Sequence, residues 1–297
     1  MGARNKEDFG SRTGAAYIFT ESNGSWAETS KLLASDATFN SEFGWEVDID
    51  NETAVVGAPR NNGSGAAYIF QNDGNSWFQV SKLLPPVANS GGRFGESVAI
   101  SNGYSVIGAS DWIVNSIQTG SAFVYKFDMN TWVYDTSLLG ADISTEVRFG
   151  DGVDIDNDTI IVGARLMDSN GAFYVFKLMD VWTQSEKVSA SDGSSLDQFA
   201  WEVATKNNLY IVGALGDDDN GITSGSAYIN ENVQQVPVCN GQEATVYVGD
   251  DNLIQGGPDN GLVYTGLLRG TTGDDIIVGT DSVDDIRGRN GEDIICA

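Results

Sequence analysis

The sequence predicts an all-β fold in which a four-stranded unit of about 50 residues recurs as the blades of a β-propeller, about five of them, complete or a fragment of a larger ring. Three observations predict it. An aromatic-glycine mark returns at fixed spacing, glycine (36) is abundant while proline (5) is scarce, and no stretch keeps a helical period. Hydrophobic residues at 41% supply a core for a chain of 297 residues.

The mark is Phe43-Gly44, Phe94-Gly95, Phe149-Gly150 and Phe199-Ala200, at steps of 51, 55 and 50. A Gly-Ala pair follows each Phe by 14 positions, at Gly57, Gly108, Gly163 and Gly213, and a Trp precedes each by 17, at Trp26, Trp77, Trp132 and Trp182. Intervals that never vary belong to strands in fixed register, because one inserted residue would turn every side chain to the wrong face. A second glycine opens an aromatic-aliphatic stretch at Gly14, Gly65, Gly120, Gly171 and Gly225, and its distance from the Gly-Ala pair alternates between 12 and 8, as a surface loop allows. Within one period the strands fall at 45–50, with Val47 and Ile49 on one face, then 53–58, 66–70 and 77–84, with a turn at Asp50-Asn51-Glu52. Aromatics that recur with the period are expected to fill the space between blades rather than to stack on sugars. Recognition is then expected in the odd segments, notably Asp111, Trp112 and Ile113 in the long loop after Ala109.

Forty-two acidic residues against 16 basic ones leave a net charge of −26, which repels nucleic acid and anionic membranes. The chain contains no histidine, which removes Ser-His-Asp and Cys-His catalysis and every imidazole acid or base. No apolar run reaches the roughly 18 to 20 residues of a membrane span, and residues 1–10 lack a secretory pattern. Gly2-Ala3-Arg4 repeats the mark at Gly163-Ala164-Arg165, so the sequence is expected to start inside a repeat.

Phe-Gly, then Val-x-Ile, then Val55-Val56-Gly57-Ala58-Pro59, then Gly-Ala-Ala-Tyr-Ile-Phe at 65–70 resembles the FG-GAP repeat of integrin-alpha-type β-propellers over residues 1–231. Lys-Leu-x-Ala-Ser-Asp at 31–36 resembles the bacterial form. The resemblance implies calcium loops between the first two strands of some blades, but 14 residues from Phe to Gly leave only a tight turn. Asp48, Asp50 and Glu52, and Asp154, Asp156 and Asp158, either hold calcium or face solvent on alternating strands. Asp217 and Asp219, in an acidic loop, offer hard oxygen ligands or form a solvated turn.

Residues 232–238 read as a connector, and residues 239–297 follow a different grammar. From Gly270 the chain divides into nonapeptides with Asp at position six and Ile at position eight: Asp275 and Ile277, Asp284 and Ile286, Asp293 and Ile295. This resembles the RTX, or haemolysin-type, repeat, which implies a small parallel β-roll-like domain with aspartates stacked every 18 residues, inward isoleucines and bound calcium. Such calcium would supply folding energy to a thin core; the alternative is a repeat that keeps the shape without the ion. Cys239 and Cys296, the only cysteines, bracket the segment and read as a disulfide contributing about 4 kcal/mol, or as two free thiols.

The two resemblances imply a non-enzymatic, monomeric binding or adhesion protein, secreted or at the cell surface. Its expected partner is an extracellular protein or glycan, with no nucleic acid and no membrane insertion. The alternative is the non-catalytic accessory region of a secreted hydrolase.

Overall fold

The computed structural model describes the chain except for residues 9–10, 191, 208, 219–220, 222–223, 232–237, 240–241, 244, 249–253, 256–257, 259–263, 266, 272–274, 279–284, 288–293 and 297. Two compact units divide it, Met1–Glu231 and Asn232–Ala297. Most of the connector therefore lies outside the described residues.

The first unit is a five-blade β-propeller of antiparallel sheets. Its three complete blades are Val47–Asp50, Thr53–Ala58, Ala66–Asn72 and Trp77–Leu83; then Val98–Ser101, Tyr104–Ala109, Ser121–Asp128 and Thr131–Leu138; then Phe149–Asp156, Thr159–Ala164, Ala172–Leu178 and Trp182–Val188. The first blade holds Gly2–Ala3, Ala15–Ser22 and Ser25–Leu32, and the fifth holds Phe199–Lys206, Leu209–Ala214 and Ser226–Glu231. The expected strands of the second blade appear with small shifts, the first opening at Val47 and the third running on to Asn72. Asn51, Asn102, Asn157 and Asn207 take positive φ at the turn between first and second strands, the geometry a tight hairpin demands and asparagine tolerates.

The sequence repeat and the blade are offset by one strand. The stretch from Trp to the Gly-Ala mark carries the last strand of one blade into the next, so its fixed length sets the step between blades. Each Phe bridges in parallel to the preceding blade: Gly14 with Phe43, Gly65 with Phe94, Gly120 with Phe149 and Gly171 with Phe199. The Gly-Ala glycine makes the other contact. A Cβ on Gly57 would stand 2.1 Å from the Gly95 carbonyl oxygen of the next blade, and one on Gly163 would stand 2.2 Å from that of Ala200. Only glycine lets the two backbones approach so closely.

The core lies between blades. Val56 joins Leu32, Phe43 and Tyr68 on one side, whereas its neighbour Val55 joins Phe94, Ile107 and Phe123 on the other. Burial on both faces explains why the second strands read as continuous apolar runs rather than as an alternation. Phe43, Phe94 and Phe149 are fully buried, with tilted or edge-on ring contacts at 5.3 to 5.5 Å to Tyr68, Phe123 and Tyr174. The recurring tryptophans are less uniform. Trp182 is buried and meets Tyr104 of the preceding blade edge-on, Trp77 and Trp132 are half-buried, and Trp26 is exposed, contrary to its expected place between blades. Its strand neighbour, Ala15–Ser22, is paired on the inner side at Ala15 and Ala16 and, through Met1, at Tyr17, and an open apolar cavity of about 600 Å³ lies beside it that Trp26 helps to line.

The second unit contains two parallel pairs, Leu267–Arg269 with Asp285–Arg287 and Ile276–Val278 with Ile294–Cys296. Both pair residues 18 apart, the offset that two nonapeptides per turn produce. Val246, Ile254, Leu268 and Ile277 form its small core. Ile295 was expected to point inward, but it is about half exposed, whereas its partner Ile277 is buried. No described helix is long and apolar enough to cross a membrane.

Candidate functional site

The inner strands explain the acidic pairs. The Asp48 carboxylate accepts the N–H groups of Ile49 and of Ile100 in the next blade, at 2.7 and 2.8 Å, and Asp50 accepts that of Asn102 at 2.9 Å. Two blades on, Asp154 accepts Ile155 and Thr205 at 2.8 and 2.6 Å, and Asp156 accepts Asn207 at 2.8 Å and pairs with Lys206 at 2.7 Å. The solvent-facing reading holds for Glu52 and Asp158, which are exposed, and needs correction for the other four: Asp48, Asp50, Asp154 and Asp156 staple one inner strand to the open edge of the next. The edge N–H groups of an innermost strand have no strand to bond, and a carboxylate from the adjacent blade satisfies them.

A second clamp explains the Lys-Leu-x-Ala-Ser-Asp stretch. Asp36 accepts the Tyr68 hydroxyl at 2.8 Å and pairs with Lys82 at 2.5 Å, both on the next blade, and Asp142 repeats this with Tyr174 and Lys187. Burial pushes the Asp36 carboxyl up, but Lys82 and Tyr68 outweigh it and hold the carboxyl below its ordinary value.

What these uses leave over converges on the ring axis. Four positions of the repeat supply it: the residue before Phe, the second and third after it, and the residue after Gly-Ala. The backbone is fixed at all of them while the side chains vary. Glu42, Arg93, Arg148 and Gln198, each before the recurring Phe, hold φ between 55° and 60°, a left-handed conformation repeated at four equivalent points. From these positions Arg4, Trp45, Arg93, Glu96, Arg148, Asp151, Arg165, Trp201 and Glu202, from all five blades, line one cavity of about 450 Å³.

Its charges are organised. Arg93 pairs with Glu96 at 2.7 Å, Arg165 with Asp151 at 2.5 Å and Arg148 with Asp111 at 2.9 Å, and Ser110 donates to Glu96. The guanidinium of Arg4 lies 3.9 Å and that of Arg93 5.1 Å from the Trp45 ring centroid, and Arg165 lies 3.7 Å from that of Trp201. Burial, then Asp151 and Glu96, push the Glu202 carboxyl up to about 7. Deeper on the inner strands, burial and then Glu202, Asp48 and Asp154 push Glu46 up to about 9 against the N–H of Val98. Burial raises Asp154 to about 6, opposed by the N–H groups of Thr205 and Ile155.

The residues singled out from the sequence fall elsewhere. Trp112 is buried rather than presented to solvent: its ring packs edge-on against Phe123 at 4.8 Å and against the notch at Gly92, because the loop folds back through a small hairpin. Asp111 does reach the site, through Arg148 and a bond from Gln118 at 2.9 Å. Asp217 is buried and accepts the Tyr228 hydroxyl at 2.9 Å, and Asp275 accepts the N–H and hydroxyl of Thr271 at 2.7 and 3.0 Å. Both are committed to protein donors. Asp219, Asp284 and Asp293 lie outside the described residues, as do the side chains of Cys239 and Cys296. Among the described residues no group of three or more metal-ligating side chains is gathered for an ion. The axial residues were missed, although their signal was present as the variable positions that flank the invariant Phe-Gly and Gly-Ala marks.

Fold and site together define a repeat propeller whose blades are joined by shared glycine contacts and whose variable side chains meet on the axis. The chain belongs to the FG-GAP repeat family, whose pattern matches residues 26–70, 77–125, 132–176 and 182–230. It is similar to integrin alpha-7 of Rattus norvegicus, at 28% identity over 62% of this chain and 19% of the rat protein. It is also similar to integrin alpha-11 of Homo sapiens, at 25% identity over 54% of this chain and 16% of the human protein. The match thus spans less than a fifth of either relative's length.

Proposed function

We propose that the chain is an extracellular binding protein, secreted or held at the cell surface, whose ring presents the axial pocket to a ligand and whose second unit is a calcium-stabilised roll. One observation carries the binding assignment: variable charged and aromatic side chains from all five blades converge in one cavity, while the recurring phenylalanines and inner-strand carboxylates are consumed in packing and staples. The similarity to integrin alpha chains supports a ligand-binding platform rather than an enzyme. The test is capture of extracellular proteins and glycans on the immobilised chain, compared with Trp201→Ala. Capture lost in the variant supports the reading, and capture that ignores the substitution sinks it.

For the second unit, the 18-residue offset supports a roll in which Asp275 and Asp293 occupy successive turns, with Asp284 between them. Asp275 already has Thr271 as donor, so calcium would have to compete with that bond. The strand ending at Cys239 neighbours the strand ending at Cys296, which supports a disulfide and an oxidising compartment. Calcium added to the whole chain is expected to increase the β signal in circular dichroism, and an unchanged spectrum removes the ion from the proposal.

A further inference from the structure

We propose that the axial pocket takes a carboxylate, carried by an acidic side chain of a partner protein and held by the guanidinium of Arg4 over Trp45. The inference rests on the reading of this pocket as the ligand site and names what it recognises.

Three of the four pocket arginines already face a carboxylate: Arg93 meets Glu96, Arg148 meets Asp111 and Arg165 meets Asp151. Arg4 has no such partner among the described residues; its contact is the Trp45 ring, at 3.9 Å. A guanidinium held 3.9 Å over an indole centroid, with no carboxylate partner among the described residues, keeps N–H groups for a ligand. That is a preformed fork for a planar two-oxygen anion, and it loses little freedom on binding. Arg4 and Arg93 both lie over the Trp45 ring, which leaves less of it to stack on a sugar.

Glu202 supplies the counterpart. It lines the same cavity with no hydrogen bond or ion pair among the described residues, and Asp151 and Glu96 face it along with Glu46 from the second blade. With its carboxyl pushed up to about 7, Glu202 takes a proton near neutrality, which removes one negative charge from the cavity that an incoming anion enters. Carboxylate binding and protonation of Glu202 therefore favour each other. The cationic groups that line the cavity with it are Arg4, Arg93, Arg148 and Arg165.

A protein source is favoured over an acidic glycan on two grounds. A chain of net charge −26 repels a polymer that carries a charge on every unit, whereas one carboxylate on a weakly charged loop meets only the local field. The cavity, about 450 Å³, suits one inserted side chain rather than a run of charged sugar rings.

The experiment is a calorimetric titration of the whole chain with acetyl-Gly-Asp-Gly-amide, its Asn counterpart and glucuronate. The Asp peptide is expected to saturate one site and the Asn peptide to bind about tenfold more weakly or worse. Affinity for the Asp peptide should fall about tenfold from pH 6 to pH 8, Glu202→Gln should abolish that fall, and Arg4→Ala should weaken binding about tenfold. Equal binding of Asp and Asn peptides, or indifference to Arg4→Ala, overturns the carboxylate while the platform stands. Tighter binding of glucuronate than of the Asp peptide overturns the protein source. No binding of any of the three overturns the inference, and the capture experiment with Trp201→Ala then judges the platform by itself.

Discussion

Trp26 and Trp182 stand at the same point of the repeat, yet Trp26 is 71% exposed and Trp182 only 8%. The glycines of the Gly-Ala mark divide in the same way. A Cβ on Gly108 would lie 2.1 Å from both the Gly150 carbonyl oxygen and Ser97 Oγ, whereas one on Gly213 would meet nothing nearer than 3.8 Å. The middle blades and the first and fifth blades share one sequence pattern and differ in what stands beside it. A repeat thus specifies backbone and direction, and the adjacent blade decides whether a residue is energetically important.

The largest effect expected from this contrast is at Gly108. Alanine there drives a methyl group into backbone that the Phe-Gly bridge holds in place, so Gly108→Ala should cost about 3 kcal/mol or more, read as a shift in urea midpoint. Trp182→Ala comes next, at about 3 to 4 kcal/mol, since it removes a buried ring from Tyr104 and opens a cavity between the third and fourth blades. The same truncation at Trp26 should stay below about 1 kcal/mol. Equal losses at the two tryptophans would show that the first blade is covered in solution.

The contrast also explains what could be read in advance. Strand positions were legible because fixed intervals and the asparagine turns constrain each hairpin locally. Asp48 and Asp154 were not, since alternation shows only that a residue is outside the core, and the donors they serve belong to a strand about 50 residues away. The axial pocket was hidden for a related reason. Arg4 and Trp201 are almost 200 residues apart, and only the circular arrangement of blades brings them to one cavity. Trp112 was misplaced because loop length says nothing about a loop that folds back onto a glycine notch.

Acidity offers a smaller and broader effect. Glu46, Glu202 and Asp154 bind protons more tightly in the folded ring than in the unfolded chain, with carboxyls raised to about 9, 7 and 6. Stability from these groups is therefore greatest at low pH and declines as pH climbs from about 4 toward 9. The lowered carboxyls of Asp36, Asp142 and Asp156 act in the opposite sense and lose their contribution as pH falls below about 4. The melting temperature should peak near pH 5, and Glu46→Gln should raise the unfolding free energy at pH 8 by on the order of 2 kcal/mol after solvent screening while flattening the decline. A melting temperature that rises steadily from pH 5 to pH 8 would show that the inner-strand acids are not desolvated together.

The smallest effect is the most discriminating, because its sign changes. Gly213 lies in a regular strand, Leu209–Ala214, without a left-handed φ, and the space beside its Cα is open. Alanine fits there and narrows the unfolded ensemble, so Gly213→Ala should stabilise by about 0.4 to 1 kcal/mol, whereas the identical change at Gly108 breaks the ring. Both variants carry the same composition and the same change in strand propensity, which leaves the neighbouring backbone as the cause of any difference. If Gly213→Ala destabilised as much as Gly108→Ala, another backbone would have to lie against the fifth blade in solution, and that blade would be as enclosed as the middle three.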